Sequence, residues 1–132
     1  MQLYRPETQF IGDADQIKDY IKETFKLKMG QVYVSKFDLN VEHEKVSEPR
    51  KPVIRFGTVV SDSNGQKKGV VVLNFLGKRL LDMLDDSRLK AAGNLVLLNS
   101  DGYWLHGGKP EEEWGFMYDD KKDFTFGFLI QD

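Results

Sequence analysis

The stretch Pro52–Gly77, PVIRFGTVVSDSNGQKKGVVVLNFLG, sets the reading of this chain. Two runs of β-branched and aromatic residues flank Ser61-Asp62-Ser63-Asn64-Gly65. Asn-Gly between alternating apolar runs predicts a β-hairpin, because both residues tolerate the positive φ such turns need. With Asn64 and Gly65 at the turn centre, Val60 faces Gly69, Phe56 faces Leu73 and Arg55 faces Asn74. One face then carries Ile54, Phe56, Thr58, Val71, Leu73 and Phe75. The other carries Val53, Val59, Val70 and Val72 together with Arg55 and Asn74.

An arginine among valines needs a partner, since an unpaired buried cation is costly. That partner is a carboxylate of the protein or one on a ligand; the plainer alternative is a sheet-edge arginine reaching water. The Arg55–Asn74 pairing depends on register, and a slip of one residue separates the two.

Composition bounds the rest. The chain has 132 residues, 40% hydrophobic and 30% charged, with a formal charge of −2. This describes one ordinary globular domain, 1–132, with enough chain to bury a core. The slightly acidic balance argues against a nucleic-acid partner, which would require a basic surface. No run is long and apolar enough for a membrane span, and the N-terminus lacks the pattern of a signal peptide. Cysteine is absent, which excludes disulfides, thiolate metal sites and cysteine nucleophiles from this sequence.

Taken in order, residues 1–12 read as an N-terminal arm. Asp13 or Asp15 caps a helix running to Phe25, with Ile17, Tyr20, Ile21, Thr24 and Phe25 on one stripe, and Gly30 ends it. Gln31–Asn40 alternates as a strand, and Val41–Lys51 reads as an exposed loop. After the central hairpin, Leu76, Leu80, Leu81 and Leu84 mark a short helix ending near Asp86. Asn94–Leu98 is a strand that Asn99–Gly102 turns back into Tyr103-Trp104-Leu105. Glu111–Glu113 is expected to be a solvated acidic run. Asp123–Ile130, with Phe124, Phe126 and Phe128 alternating, is a closing strand. An antiparallel sheet with helices packed on it, an α+β fold, accommodates this order.

Catalytic signatures are scarce. His43 and His106 are far apart in the chain, and no H-x-x-x-H, G-x-S-x-G or phosphate-cradling glycine loop is present. No metal or cofactor is expected, and no catalytic residue is assigned. The polar residues within and after the strands are better candidates. Tyr33, Ser35, Asp38 and Asn40 lie on or just after Val32–Val34, and with Arg55 and Asn74 they can line a small pocket with a few fixed polar groups. Asp38 and Asn40 equally suit local turn bonding, and Trp104 and Trp114 suit core or interface packing.

These residues carry a resemblance. Val32–Ser35, Phe37–Asn40, Pro52–Phe56, Leu73–Phe75, Asn99–Trp104 and Glu113–Phe116, in this order, resemble the PAS-like Cache domains of the double Cache type. Those are extracytoplasmic sensor domains of bacterial histidine kinases, GGDEF proteins and chemoreceptors. The resemblance implies a PAS-like antiparallel sheet of about five strands flanked by helices, and a partial domain, since the long first helix and early hairpin of such sensors are missing. It implies a non-catalytic sensor, part of a membrane-anchored receptor on the periplasmic face of the inner membrane, that binds a small molecule and relays a conformational change. Its partners would be that ligand, a carboxylate or amino acid, and a second copy in a homodimer; any kinase or cyclase activity belongs to the parent receptor. Tyr33, Ser35, Asp38 and Arg55 match motif positions of that family, and with Asn74, placed across from Arg55 by the hairpin pairing, they are the expected ligand-binding residues. Asn94–His106 resembles the start of a second module, and it is expected to add to the sheet in place of the missing early hairpin. The alternative function is a dimerisation module without a small-molecule ligand.

Overall fold

The computed structural model describes residues 2–4 and 19–129. They fall into two compact units, Met1–Lys36 with Ile54–Phe75, and Phe37–Val53 with Leu76–Asp132.

The first unit is built on the central hairpin, β6 (Pro52–Ser61) and β7 (Lys67–Leu76). Strand β1 (Gln2–Tyr4) pairs antiparallel with β7, and β2 (Val32–Val34) pairs antiparallel with β6, in the order β1-β7-β6-β2. The turn joining β6 to β7 is closed by Asp62 and Gln66 with three residues between, not by Asn64-Gly65 as a two-residue centre: Asp62 N donates to Gln66 O at 2.9 Å, and Gly65 N to Asp62 O at 3.0 Å. Gly65 takes φ +79°, which only glycine adopts without strain. The Asp62 carboxylate accepts the backbone N–H groups of Asn64 and Gln66, each at 2.9 Å, and so replaces backbone acceptors that the turn lacks.

Helix α1 (Asp19–Lys26) ends where Leu27 N bonds Thr24 O; the expected cap at Asp13 or Asp15, and Ile17, lie outside the described residues. Tyr20, Ile21 and Phe25 pack with Leu27 over the buried trio Val59, Val70 and Val72, as the helical stripe requires. Gly30, at φ +87°, belongs to the following turn. Thr24 is fully buried and satisfies its hydroxyl on Tyr20 O at 2.6 Å. It sits over Gly57, where any Cβ would overlap the threonine hydroxyl and methyl. The core therefore lies on the face that carries Arg55. The almost wholly apolar face is the open one: Val32, Val34 and Leu73 are each more than half exposed. A glycine in the middle of β6 lets the helix approach that side closely.

In the second unit, the alternation expected over Gln31–Asn40 is broken at Ser35–Phe37, and β3 (Asp38–Leu39) pairs with the start of β6, Asp38 opposite Val53 and Leu39 opposite Pro52. The segment expected to be a plain loop holds a small hairpin, β4 (Val41–Glu42) and β5 (Lys45–Val46), whose tip residues His43 and Glu44 have φ +50° and +63°. Helix α2 (Lys78–Lys90) runs a turn beyond Asp86. Strands β8 (Leu97–Leu98) and β9 (Trp104–His106) pair with each other in a separate two-stranded sheet, so the late hairpin does not add to the sheet of β6 and β7. Its turn is closed as expected, with the Asn99 side chain accepting the N–H groups of Asp101 and Tyr103.

The expected closing strand is corrected. Among its described residues only Thr125 bridges, to Tyr103, and Phe126–Leu129 forms a short helix, α3. An alternation as short as Phe124–Phe128, five residues, does not distinguish strand from helix. The second core is Leu39, Leu105 and Trp114, with Phe37, Leu81, Phe116 and Tyr118 around it; Phe37 meets Trp114 edge-on at 5.2 Å.

Gly57→Ala is expected to destabilise the protein by about 1–3 kcal/mol through overpacking, measured by urea unfolding. Thr24→Ala in the same chain should recover part of that loss, and no recovery would show that the strain lies elsewhere. The Asp62 carboxyl is held below the ordinary carboxylate value, first by the Gln66 N–H, then by the Asn64 N–H and Lys68, with burial opposing. Because the folded-state value is lowered, its stabilisation is present above the ordinary carboxylate range and is lost as pH falls through the lowered value. In an NMR acid titration the Asn64 and Gln66 amides should move with a midpoint below that of an ordinary aspartate, and Asp62→Ala should abolish the transition.

Candidate functional site

The residues singled out in the sequence are not distributed evenly. Tyr33 lies directly opposite Gly57 in the β2–β6 ladder, and Val34 opposite Phe56. Residues directly opposite share a face, and side chains alternate along a strand. Tyr33, Arg55, Gly57 and Val59 therefore share the face on which α1 lies. Val70, Val72 and Asn74 share one face of β7 by the same alternation, and the two valines pack under α1.

Ser35 binds the Arg55 backbone on both sides. Ser35 N donates to Arg55 O at 2.9 Å, and Arg55 N donates to the Ser35 hydroxyl oxygen at 2.8 Å. The same hydroxyl donates to Lys36 O at 2.8 Å, so it locks the end of β2 onto β6. The Arg55 guanidinium carbon lies 4.8 Å from the centre of the Tyr20 ring. Such stacking contributes about 0.5–2 kcal/mol depending on desolvation. Tyr33 and Arg55 are half-buried and Asn74 is exposed. Asp38 belongs to the second unit, half-buried on β3.

Tyr20 is the residue whose contact with Arg55 the sequence did not reveal. It was expected on the buried stripe of α1, and it is there, but an aromatic ring one turn before the threonine that packs on Gly57 also comes to rest over Arg55. A tyrosine in such a stripe, with a polar tip on an apolar body, was the available signal.

The second unit holds another polar group. His106 Nε2 lies 2.8 Å from Asp85 Oδ1, and Nδ1 lies 4.0 Å from Glu113 Oε1. Glu113 is 14% exposed at its side chain, and Glu112, equally covered, pairs with Lys109 at 3.1 Å. Two of the three acids expected to be a solvated run are thus engaged; the turns around Trp114, which is buried with φ +62°, draw them in. Arg50 from the segment before β6 donates to the Tyr118 hydroxyl at 3.0 Å and to Pro110 O at 3.2 Å. Among the described residues no group of three or more His, Cys, Asp or Glu is placed to hold a metal ion, and no helix is long and apolar enough to cross a membrane.

Comparison with known proteins agrees with this architecture. Residues 7–130 match the family described as the sensor domain of bacterial histidine kinases. A domain of a sensory box/GGDEF family protein from Vibrio parahaemolyticus superposes with a TM-score of 0.75 at 20% identity, over 93% of this chain and 46% of that one. The extracellular domain of a histidine kinase superposes with a TM-score of 0.73 at 19% identity, over 87% of this chain and 40% of that one. The chain thus spans less than half the length of these two structures, and the likeness shows a shared PAS-like α+β fold. No curated protein matches the sequence. The family match over most of the chain, together with an antiparallel sheet carrying a helix on one face, shows that this chain belongs to the bacterial histidine kinase sensor domain family.

Proposed function

We propose that this sensor domain is the extracytoplasmic input of a bacterial transmembrane receptor, and that it binds a small molecule bearing a carboxylate at Arg55. The observation that supports this reading most directly is the half-buried guanidinium stacked on Tyr20, on the helix-bearing side of the sheet, beside Tyr33. The planar fork of a guanidinium matches a carboxylate in bidentate bonding. Asn74, on the same face of β7 as the valines under α1, supplies a neutral hydrogen-bonding group. Ser35 fixes the backbone from which Arg55 projects. Tyr33 supplies a wall. Asp38 lies in the second unit and is left out of the proposed contacts. Signalling then requires that the ligand bind one arrangement of the receptor better than another, since equal affinity for both would shift nothing.

A second reading, a dimerisation module, has its own observation. Val32, Val34, Leu73 and Phe75 lie on the sheet face away from α1 and are 60%, 56%, 53% and 39% exposed. Contiguous exposed apolar surface of this kind is a common mark of protein–protein contact. A second copy on that face is compatible with ligand binding on the other.

A thermal-shift screen of the purified domain against amino acids and short organic acids tests the first reading. A carboxylate at about 100 times its dissociation constant is expected to add about 2.7 kcal/mol of stability. Arg55→Ala should abolish this increment while the unliganded variant still unfolds cooperatively, and Arg55→Lys should restore only part. A blank screen on a folded protein whose sedimentation shows dimers would transfer the assignment to the second reading.

A further inference from the structure

The end of α2 forms a cleft that the sensor reading above does not use. It is an open surface depression of about 430 Å3 lined by Asp85, Arg88, Leu89, Gly93 and Asn94, of which all but Arg88 are exposed. Its size falls within the range of about 300–1,000 Å3 typical of small-molecule sites. Charge is arranged unevenly in it. Asp85 is already engaged, with the same Oδ1 atom 2.8 Å from His106 Nε2 and 3.6 Å from Arg88 Nη1. His106 reaches it from β9, with Glu113 4.0 Å from the other ring nitrogen.

Arg88 is engaged far less. That single approach, at 3.6 Å, is longer than a hydrogen bond and is the one ion pair of Arg88 among the described residues. The remaining donors of its fork are uncommitted, on a side chain 38% exposed beside the cleft. Gly93, where the chain leaves the helix, has open space around its Cα, and Asn94 follows with an amide able to donate. Leu89, at 87% exposed, is an uncovered apolar side chain on the rim.

We infer that this cleft is a second ligand site, one that takes a small organic carboxylate. Arg88 binds the carboxylate by two parallel N–H bonds, and Asn94 donates a third. Leu89 covers the ligand's apolar part. His106 is a positioning residue: its 2.8 Å contact fixes the orientation of the Asp85 carboxylate beside Arg88. This inference concerns the second unit alone and stands or falls independently of Arg55.

The test is an amide-resolved NMR titration of the whole chain with sodium acetate and with sodium succinate, against sodium chloride at matched ionic strength. Saturable shifts are expected at Arg88, Leu89, Gly93 and Asn94 with the carboxylates and not with chloride. Arg88→Ala should weaken them by about tenfold or more, consistent with loss of a charge-assisted bidentate pair. Arg88→Lys, which keeps the charge and the helix, should lose most of that affinity. Arg55→Ala should leave these shifts unchanged. His106→Gln should weaken binding without removing it. Shifts that chloride reproduces, that survive Arg88→Ala, or that appear at Tyr20 and Tyr33 alone would overturn the site; the last of these would support the Arg55 site instead.

Discussion

A helix can lie close on a strand only where nothing stands up beneath it, and in the first unit that place is Gly57 under Thr24. The rest of that unit's arrangement depends on this approach. Four helical residues advance about 6 Å, and two strand residues advance about 6.6 Å. With Thr24 over Gly57, the residue one turn earlier, Tyr20, therefore comes over the residue two positions earlier on β6, Arg55. The observed stacking at 4.8 Å is the consequence. Packing thus chose the face of the hairpin that became the core, and the same packing created the most distinctive polar feature on it.

Arg55 illustrates how a charged residue is tolerated beside a valine core. Its guanidinium is weakly hydrated and planar, so an aromatic face replaces part of its water, and its backbone is clamped by Ser35 on both the N–H and the carbonyl. The result is a cation whose position is set by its clamped backbone and by the packing of Tyr20.

The second unit solves a different packing problem. Helix α2 has no fully buried residue and is held through one stripe, with Leu81 packed against the Leu39–Leu105–Trp114 cluster. Around that core, polar contacts tie successive turns together: Arg50 on Tyr118, His106 on Asp85, and Tyr103 on Lys122 O at 2.7 Å. These bring together parts of the chain that are distant in sequence and leave the acidic residues 112–113 in partners rather than in water.

What the amino-acid sequence determined by itself was everything governed by neighbours along the chain. The central hairpin, the Asn99 turn and the stripe of α1 were legible because turn chemistry and periodicity are local. Local signals failed where they were too short or unusual: the phenylalanine alternation at 124–128, and the hairpin tip at His43–Glu44, where two non-glycine residues take positive φ. Arg55 was recognisable as an arginine out of place, and the family resemblance was recognisable from ordered motifs. The partner of Arg55 was not legible, because Tyr20 is brought over it only when Thr24 seats on Gly57. Which face of the sheet is core, that β8 and β9 pair alone, and that Asp85, Arg88 and His106 meet were likewise decided by tertiary structure. Burial and pairing depend on which elements dock on which faces, and docking is a property of the folded chain rather than of any one segment.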